Sequence, residues 1–137
     1  MAGENALSPV AAAVYTALNV SAMTNLATGG VWDDVPEGTA FPYVWVRVSE
    51  RTNDYMGGHA GFEVDVRVHV FSQFRGAAEA QSIISKARQL LRHTLPAVSG
   101  FTALLLEHEG TSELADEMIQ EKRTKHLIAR FRLEVEE

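Results

Sequence analysis

"FEVDVRVHVF", residues Phe62–Phe71, is the stretch that decides the fold. Phe62, Val64, Val66, Val68 and Val70 fall on one side of an extended chain and Glu63, Asp65, Arg67 and His69 on the other, which is the two-residue period of a half-buried strand. Upstream, Tyr43 to Arg51 alternates too: Val44, Val46 and Val48 point one way, while Tyr43, Trp45, Arg47 and Ser49 point the other. Here both faces carry bulk. The two patterns are joined by "TNDYMGGHAG", residues 52–61, a glycine-rich connection that suits a hairpin and is too long for a two-residue turn. Strands of about ten residues reach roughly 33 Å. A domain of this length has a radius of gyration of only ~14 Å, so the hairpin is expected to cross the body and project its tip.

The segment that launches this hairpin is "DDVPEGTAFPYVWVRV", Asp33 to Val48. Pro36 and Pro42 fix their own φ angles and press Val35 and Phe41 into extended conformations, so the chain is aimed before the first long strand starts. Ahead of it, Ser8 and Pro9 read as a helix start, and a helix from Pro9 to Val20 aligns Val10, Val14 and Leu18 with Ala13 and Ala17 beside them. Ser21 opens a short second turn, "AMTNLA", which Gly29 and Gly30 stop before a brief strand, Val31 to Asp33.

After the hairpin, "RGAAEAQSIISKARQLLRHTL", residues 75–95, gathers Ala80, Ile83, Ile84, Ala87, Leu90, Leu91 and Leu95 at helical spacing. About 20 residues of helix span ~30 Å, a match for the strands beneath. Pro96 ends it and Gly100 turns the chain into "FTALLLEH", a fourth strand. The last strand, "KHLIARFRLEV", sends Leu127, Ala129, Phe131, Leu133 and Val135 inward and Ile128, Arg130, Arg132 and Glu134 outward. The expected architecture is one α+β domain over residues 1–137. It is a mostly antiparallel sheet of four to five strands with a long β-hairpin, covered by two α-helices in the order α-β-β-β-α-β-β.

Composition narrows the function. With 12 Lys and Arg against 18 Asp and Glu, the formal charge is −6, which disfavours nucleic-acid binding through a general basic surface. The absence of cysteine excludes disulfides, thiolate catalysis and sulfur-ligated zinc, and suits a reducing compartment. Glu4 stands where a secretory signal carries Lys or Arg, and the longest apolar run, "VAAAVY", is too short to cross a membrane.

No catalytic motif stands out. His59, His69, His93, His108 and His126 form no H-x-H strand pair and no helical i, i+4 pair beside carboxylates. "LEHEG" is the best metal candidate, with Glu107 and Glu109 on one strand face and His108 on the other. The glycines of "YMGGHAG" lack the Lys-Ser or Lys-Thr of a phosphate loop, and Ser99 has no base spaced to activate it. The expectation is no enzyme, no cofactor and no metal. Charge, in contrast, is uneven. Glu107, Glu109, Glu113, Asp116, Glu117 and Glu121 come without a Lys or Arg, and then Lys122, Arg123 and Lys125 arrive together. Glu113, Asp116, Glu117 and Glu121 read as an acidic loop that either lies solvated or forms a docking or lumen-lining surface that repels phosphate.

Together, "VWDDVPEGTAFPYVWV" and "VDVRVHVFSQFRGAAEAQSIISKARQLL" resemble the tail-completion, or tail-terminator, proteins of phages with long non-contractile tails and of related gene transfer agents. The likeness runs from Val10 to Val135 and is most specific in Trp32–Pro42 and Val68–Ala80. It implies a structural virion protein at the neck end of the tail, assembled in the bacterial host cytoplasm as a homo-oligomeric ring, usually of six copies. Such a ring caps the tail tube, stops its polymerisation and presents the tail to the head-side connector, while DNA passes through the lumen without specific binding. Carried over by position, Asp33 and Asp34 belong to the segment that aims the first long strand. Asn53, Asp54, Tyr55, Met56 and His59 form the hairpin tip and contact the tube or a neighbouring subunit. The acidic loop matches no part of the family pattern. Tyr43 and Trp45 make an outward face more apolar than solvent requires, and burying both between subunits is worth on the order of 3 to 5 kcal/mol before ordering costs. A head-closure or connector protein of the same neck is the alternative structural reading, and a small metal-dependent enzyme built on Glu107, His108 and Glu109 is the alternative of another class.

Overall fold

The computed structural model describes residues 6–52, 61–92 and 97–136. Its elements run α1 (Leu7–Leu18), α2 (Ser21–Thr24), β1 (Val31–Trp32), β2 (Tyr43–Thr52), β3 (Gly61–Ser72), α3 (Ala78–Arg92), β4 (Thr102–Glu113), β5 (Glu117–Ile119) and β6 (Lys122–Glu136). The alternating stretch at residues 62–71 becomes the middle strand of one sheet, ordered β1-β2-β3-β6-β4, with β5 pairing β6. Only β1 and β2 run parallel; β2–β3, β3–β6, β4–β6 and β5–β6 are antiparallel.

Register converts the sequence alternation into two distinct faces. Val46 pairs with Val68 and Val68 with Ala129; Val44 pairs with Val70 and Val70 with Leu127. These residues, with Val64, Val66, Phe131, Leu133 and Val135, are buried on one face. Helix α1 adds Val10, Val14 and Leu18 to them, and α3 adds Ala80, Ile83, Ile84, Ala87 and Leu91. Burying a side chain the size of Leu91 or Ile83 is worth about 1.5–3 kcal/mol over leaving it in water, so this face carries the stability of the subunit.

The α+β class and the order of the principal elements follow the sequence reading, with three differences. Helix α1 begins at Leu7 rather than Pro9, and its N-cap, Ala6, makes no side-chain cap bond, so Ser8 lies inside the first turn. Ala6 is fully buried and its carbonyl accepts from Val10 N–H at 3.0 Å; packing, not capping, sets the start. Helix α3 begins at Ala78, where Glu79 lies in the first turn and accepts a 2.7 Å hydrogen bond from Ser72 Oγ, tying the end of β3 to the helix. Leu95, expected on its apolar stripe, lies outside the described residues. Finally, the sheet has six strands and there are three helices, not four to five and two: α2 is the expected short turn, and β5 is new.

Strand β5 overturns the expected loop at residues 110–123. Strand β4 continues to Glu113, Leu114 N–H donates to His126 C=O at 2.9 Å, and Glu117–Ile119 pairs with Lys122–Thr124. The reversal is a two-residue turn at Gln120 and Glu121, with φ of 53° and 64°. Turns of that hand normally advertise themselves with Asn or Gly, and neither is present.

Candidate assembly interface

Among the described residues no helix lies on the second face of the sheet: α1 packs on β2, and α3 on β3, β6 and β4, from the apolar side. The open face is banded across the strands. In its first rank Tyr43, Phe71 and His126 sit side by side on β2, β3 and β6, and in the second Trp45, His69 and Ile128 do the same. Rings meet across these ranks: Tyr43 stacks with Phe71 at 5.0 Å between centroids and Phe71 with His126 at 4.1 Å, while Trp45 meets His69 at a tilt at 5.2 Å. Phe41 extends the strip beyond Tyr43 at 5.2 Å. Phe71, His126 and Ile128 are buried by their neighbours, whereas Tyr43, Trp45 and His69 are half-buried. Ile128, expected to point outward, is on the outward face yet only 6% exposed, because bulky neighbours flank it there.

A polar relay crosses this strip. His69 Nδ1 lies 2.8 Å from His126 Nε2, and His126 Nδ1 lies 3.2 Å from Glu117 Oε1. With His126 Nδ1–H donating to the Glu117 carboxylate, His126 Nε2 is left facing His69 Nδ1. Burial holds His69 down at about 4, helped by the charges of His126, Arg47, Arg67 and Arg130. The Tyr43 hydroxyl is pushed up, first by burial and then by the charge of Glu117.

The third rank is Arg47, Arg67 and Arg130, directly opposite one another on β2, β3 and β6. Arg47 lies over the Trp45 ring at 4.7 Å, and Arg130 donates to Ser112 Oγ at 3.1 Å. The fourth rank restores balance: Arg132 donates to Glu107 Oε2 at 2.9 Å and is 3.7 Å from Glu63, in line with Ser49 and Asp65.

Of the residues singled out in the sequence, Tyr43 and Trp45 are brought together with the aromatic strip. Asp33 and Asp34 are exposed on the connection between β1 and β2, where Asp33 C=O accepts from Trp45 Nε1 at 3.1 Å. The aiming segment is thereby fastened to the strand it launches. Asn53, Asp54, Tyr55, Met56 and His59 lie outside the described residues. The acidic group does not form a single loop. Glu113 ends β4, Glu117 begins β5 and Glu121 sits in the tight turn, while Asp116 is paired with Lys125 at 3.0 Å and Arg123 at 3.7 Å. Much of its charge is met locally, because β6 folds its basic start back against it.

Glu107, His108 and Glu109 do not converge. Glu107 binds Arg132 on the open face, whereas His108 faces the helices, 2.9 Å from Thr111 Oγ1 and against Phe131, with a register irregularity between His108 and Gly110. There His108 lines a cleft of about 270 Å³ with Arg88, Gln89 and Leu91, and burial followed by the Arg88 charge lowers its pKa. Phe71, His126, Ile128 and the three arginines were not singled out as site residues by the sequence. Each sits on an ordinary alternating strand, and only register shows that they line up.

A family model described as "Tail completion protein gp17" matches residues 12–136. The chain belongs to the tail completion protein gp17 family. It is therefore a structural protein of a virion tail. Among solved structures, a chain of a particle described as "Virion of native gene transfer agent (GTA) particle" shares its fold with a TM-score of 0.79 at 21% sequence identity, covering 98% of this chain and 99% of that one. The search of curated proteins returns no match. Within the described residues, no helix of this family member is long and apolar enough to cross a membrane.

Proposed function

We propose that the protein forms a ring, of six copies, that caps the finished tail tube, ends its polymerisation and joins the tail to the head-side connector. The observation that carries this reading is the open sheet face: a subunit whose core is complete on one side leaves half-buried aromatics and a row of arginines on the other. Apolar area of that kind on a structural tail protein suits contact with copies of itself or with the tube. The gene transfer agent neighbour is itself part of a virion particle, which supports a place within an assembly. At −6 per copy, a ring carries charge of the same sign as DNA, which favours passage over retention. The ring acts through contacts and turns over no substrate.

Polymerising the cognate tube protein with and without this protein, followed by negative-stain microscopy, tests the reading. Capped tubes of arrested length are expected. Unchanged tube growth with bare ends contradicts it, and co-purification with the portal side but not with tube protein transfers the role to head closure.

A further inference from the structure

The Arg47–Arg67–Arg130 row is an arrangement that an isolated subunit has no reason to keep. Like charges directly opposite on neighbouring strands repel, and here two such pairs are adjacent. Neither Arg47 nor Arg67 has an ion pair among the described residues; Glu63, Glu107 and Glu134 gather one rank away, on Arg132. Both are exposed, and Arg47 lies on Trp45 instead of on an acid. Guanidinium groups aligned this way are pre-set to receive carboxylates in paired hydrogen bonds.

A matching set of acids stands elsewhere on the chain. Asp33, Asp34 and Glu37 fall within five residues between β1 and β2, all exposed and without an ion pair among the described residues. Their backbone is held while their carboxylates stay spare: Asp33 C=O takes the Trp45 indole N–H, and Pro36 C=O takes Thr39 Oγ1–H at 2.6 Å. Glycine at 29 lets this segment close up, since Gly29 N–H reaches Pro42 C=O at 2.8 Å.

We propose that the Asp33–Glu37 segment of one copy docks on the Arg47–Arg67–Arg130 row of the next. Within one subunit the contact is not made, although the Asp33 backbone touches the Trp45 on which Arg47 rests. Between copies it joins two different patches, a head-to-tail contact of the kind that closes into a ring. This deepens the ring reading and rests on it. Duplex DNA is a poor occupant for the row, because at −6 the chain as a whole repels an extended polyanion.

The chain has no cysteine, so single-cysteine variants give a clean test. Mixing D34C with R67C under mild oxidation should yield a covalent heterodimer in at least about tenfold excess over D34C mixed with S82C, a control on the far side of α3, because a disulfide demands close approach. Charge exchange gives the second arm. R67E alone and D33K/D34K/E37K alone should each lose self-association in sedimentation, and an equimolar mixture should regain it. Thermal melts establish that each variant folds; if R67E does not, the cysteine pair decides. No D34C–R67C cross-link, or a mixture that stays monomeric, overturns the proposal. So does a row that serves phosphate instead, shown by R67E losing retention of duplex DNA at low salt while the mixture gains nothing. A protein that arrests tube growth yet gives no such cross-link keeps the capping role and loses this contact, and the opposite result separates the two the other way.

Discussion

The two faces of one sheet obey different rules. On the helix-covered face every second residue of β3 and β6 is aliphatic or aromatic and nearly dry, from Val64 to Val70 and from Leu127 to Val135. On the other face the same strands carry Phe71, His69, Arg67, Asp65 and Glu63 opposite His126, Ile128, Arg130, Arg132 and Glu134. The first face is finished within one chain. The second has rings stacked but half-exposed, arginines set against arginines and a histidine held neutral, features that stability alone does not call for. The difference teaches that core and contact surface can alternate residue by residue along a single strand, so a substitution one position away is a change of category.

The largest expected effect breaks the covered face. Leu133→Ala removes a fully buried side chain from the strand between β3 and β4 and should destabilise the fold by about 2–5 kcal/mol in chemical denaturation, taking assembly down with it. Gly29→Ala comes next. A Cβ there would meet Ala40 C=O at 1.8 Å, so the aiming segment must shift, at a cost of about 1–3 kcal/mol in the same assay. Trp45→Ala sharpens the contrast: because the indole is half-buried, the subunit should lose no more than ~1–2 kcal/mol, while its association with copies or tube ends weakens at least about tenfold.

Smallest is a pH effect confined to the open face. Burial and the charges of His126, Arg47, Arg67 and Arg130 place His69 at about 4 in the folded chain, against an ordinary value of 6.5. Between those values the unfolded chain binds a proton that the folded one refuses, so this contribution is complete above about 6.5 and falls away as the pH drops toward 4. Urea melts at pH 7.5 and 4.5 should show a smaller acid loss for His69→Gln than for the parent chain. Equal losses would show that His69 is not held neutral.

Much of the covered face was legible because burial imposes a period. Val64, Val66, Val68 and Val70 announce a strand, and Ile83, Ile84, Ala87 and Leu91 a helix, whatever surrounds them. Long-range pairing leaves no such mark. That Arg67 faces both Arg47 and Arg130, or that Phe71 stacks on His126, depends on registers set between segments up to 63 positions apart, as Arg67 and Arg130 are. The β5–β6 reversal was hidden for a local reason: Gln120 and Glu121 adopt positive φ without the Gly or Asn that usually signals it. Tyr43 and Trp45 were visible as too apolar for a solvated face, but the partners that half-bury them were not.

Oxidative footprinting of side chains, read by mass spectrometry on the free protein and on protein bound at tube ends, addresses the open face directly. Tyr43 and Trp45 should lose reactivity on assembly while Phe74, exposed just before α3, keeps its own. Unchanged reactivity of Tyr43 and Trp45 in the assembled particle would contradict the claim that this face is where the molecule meets its neighbours.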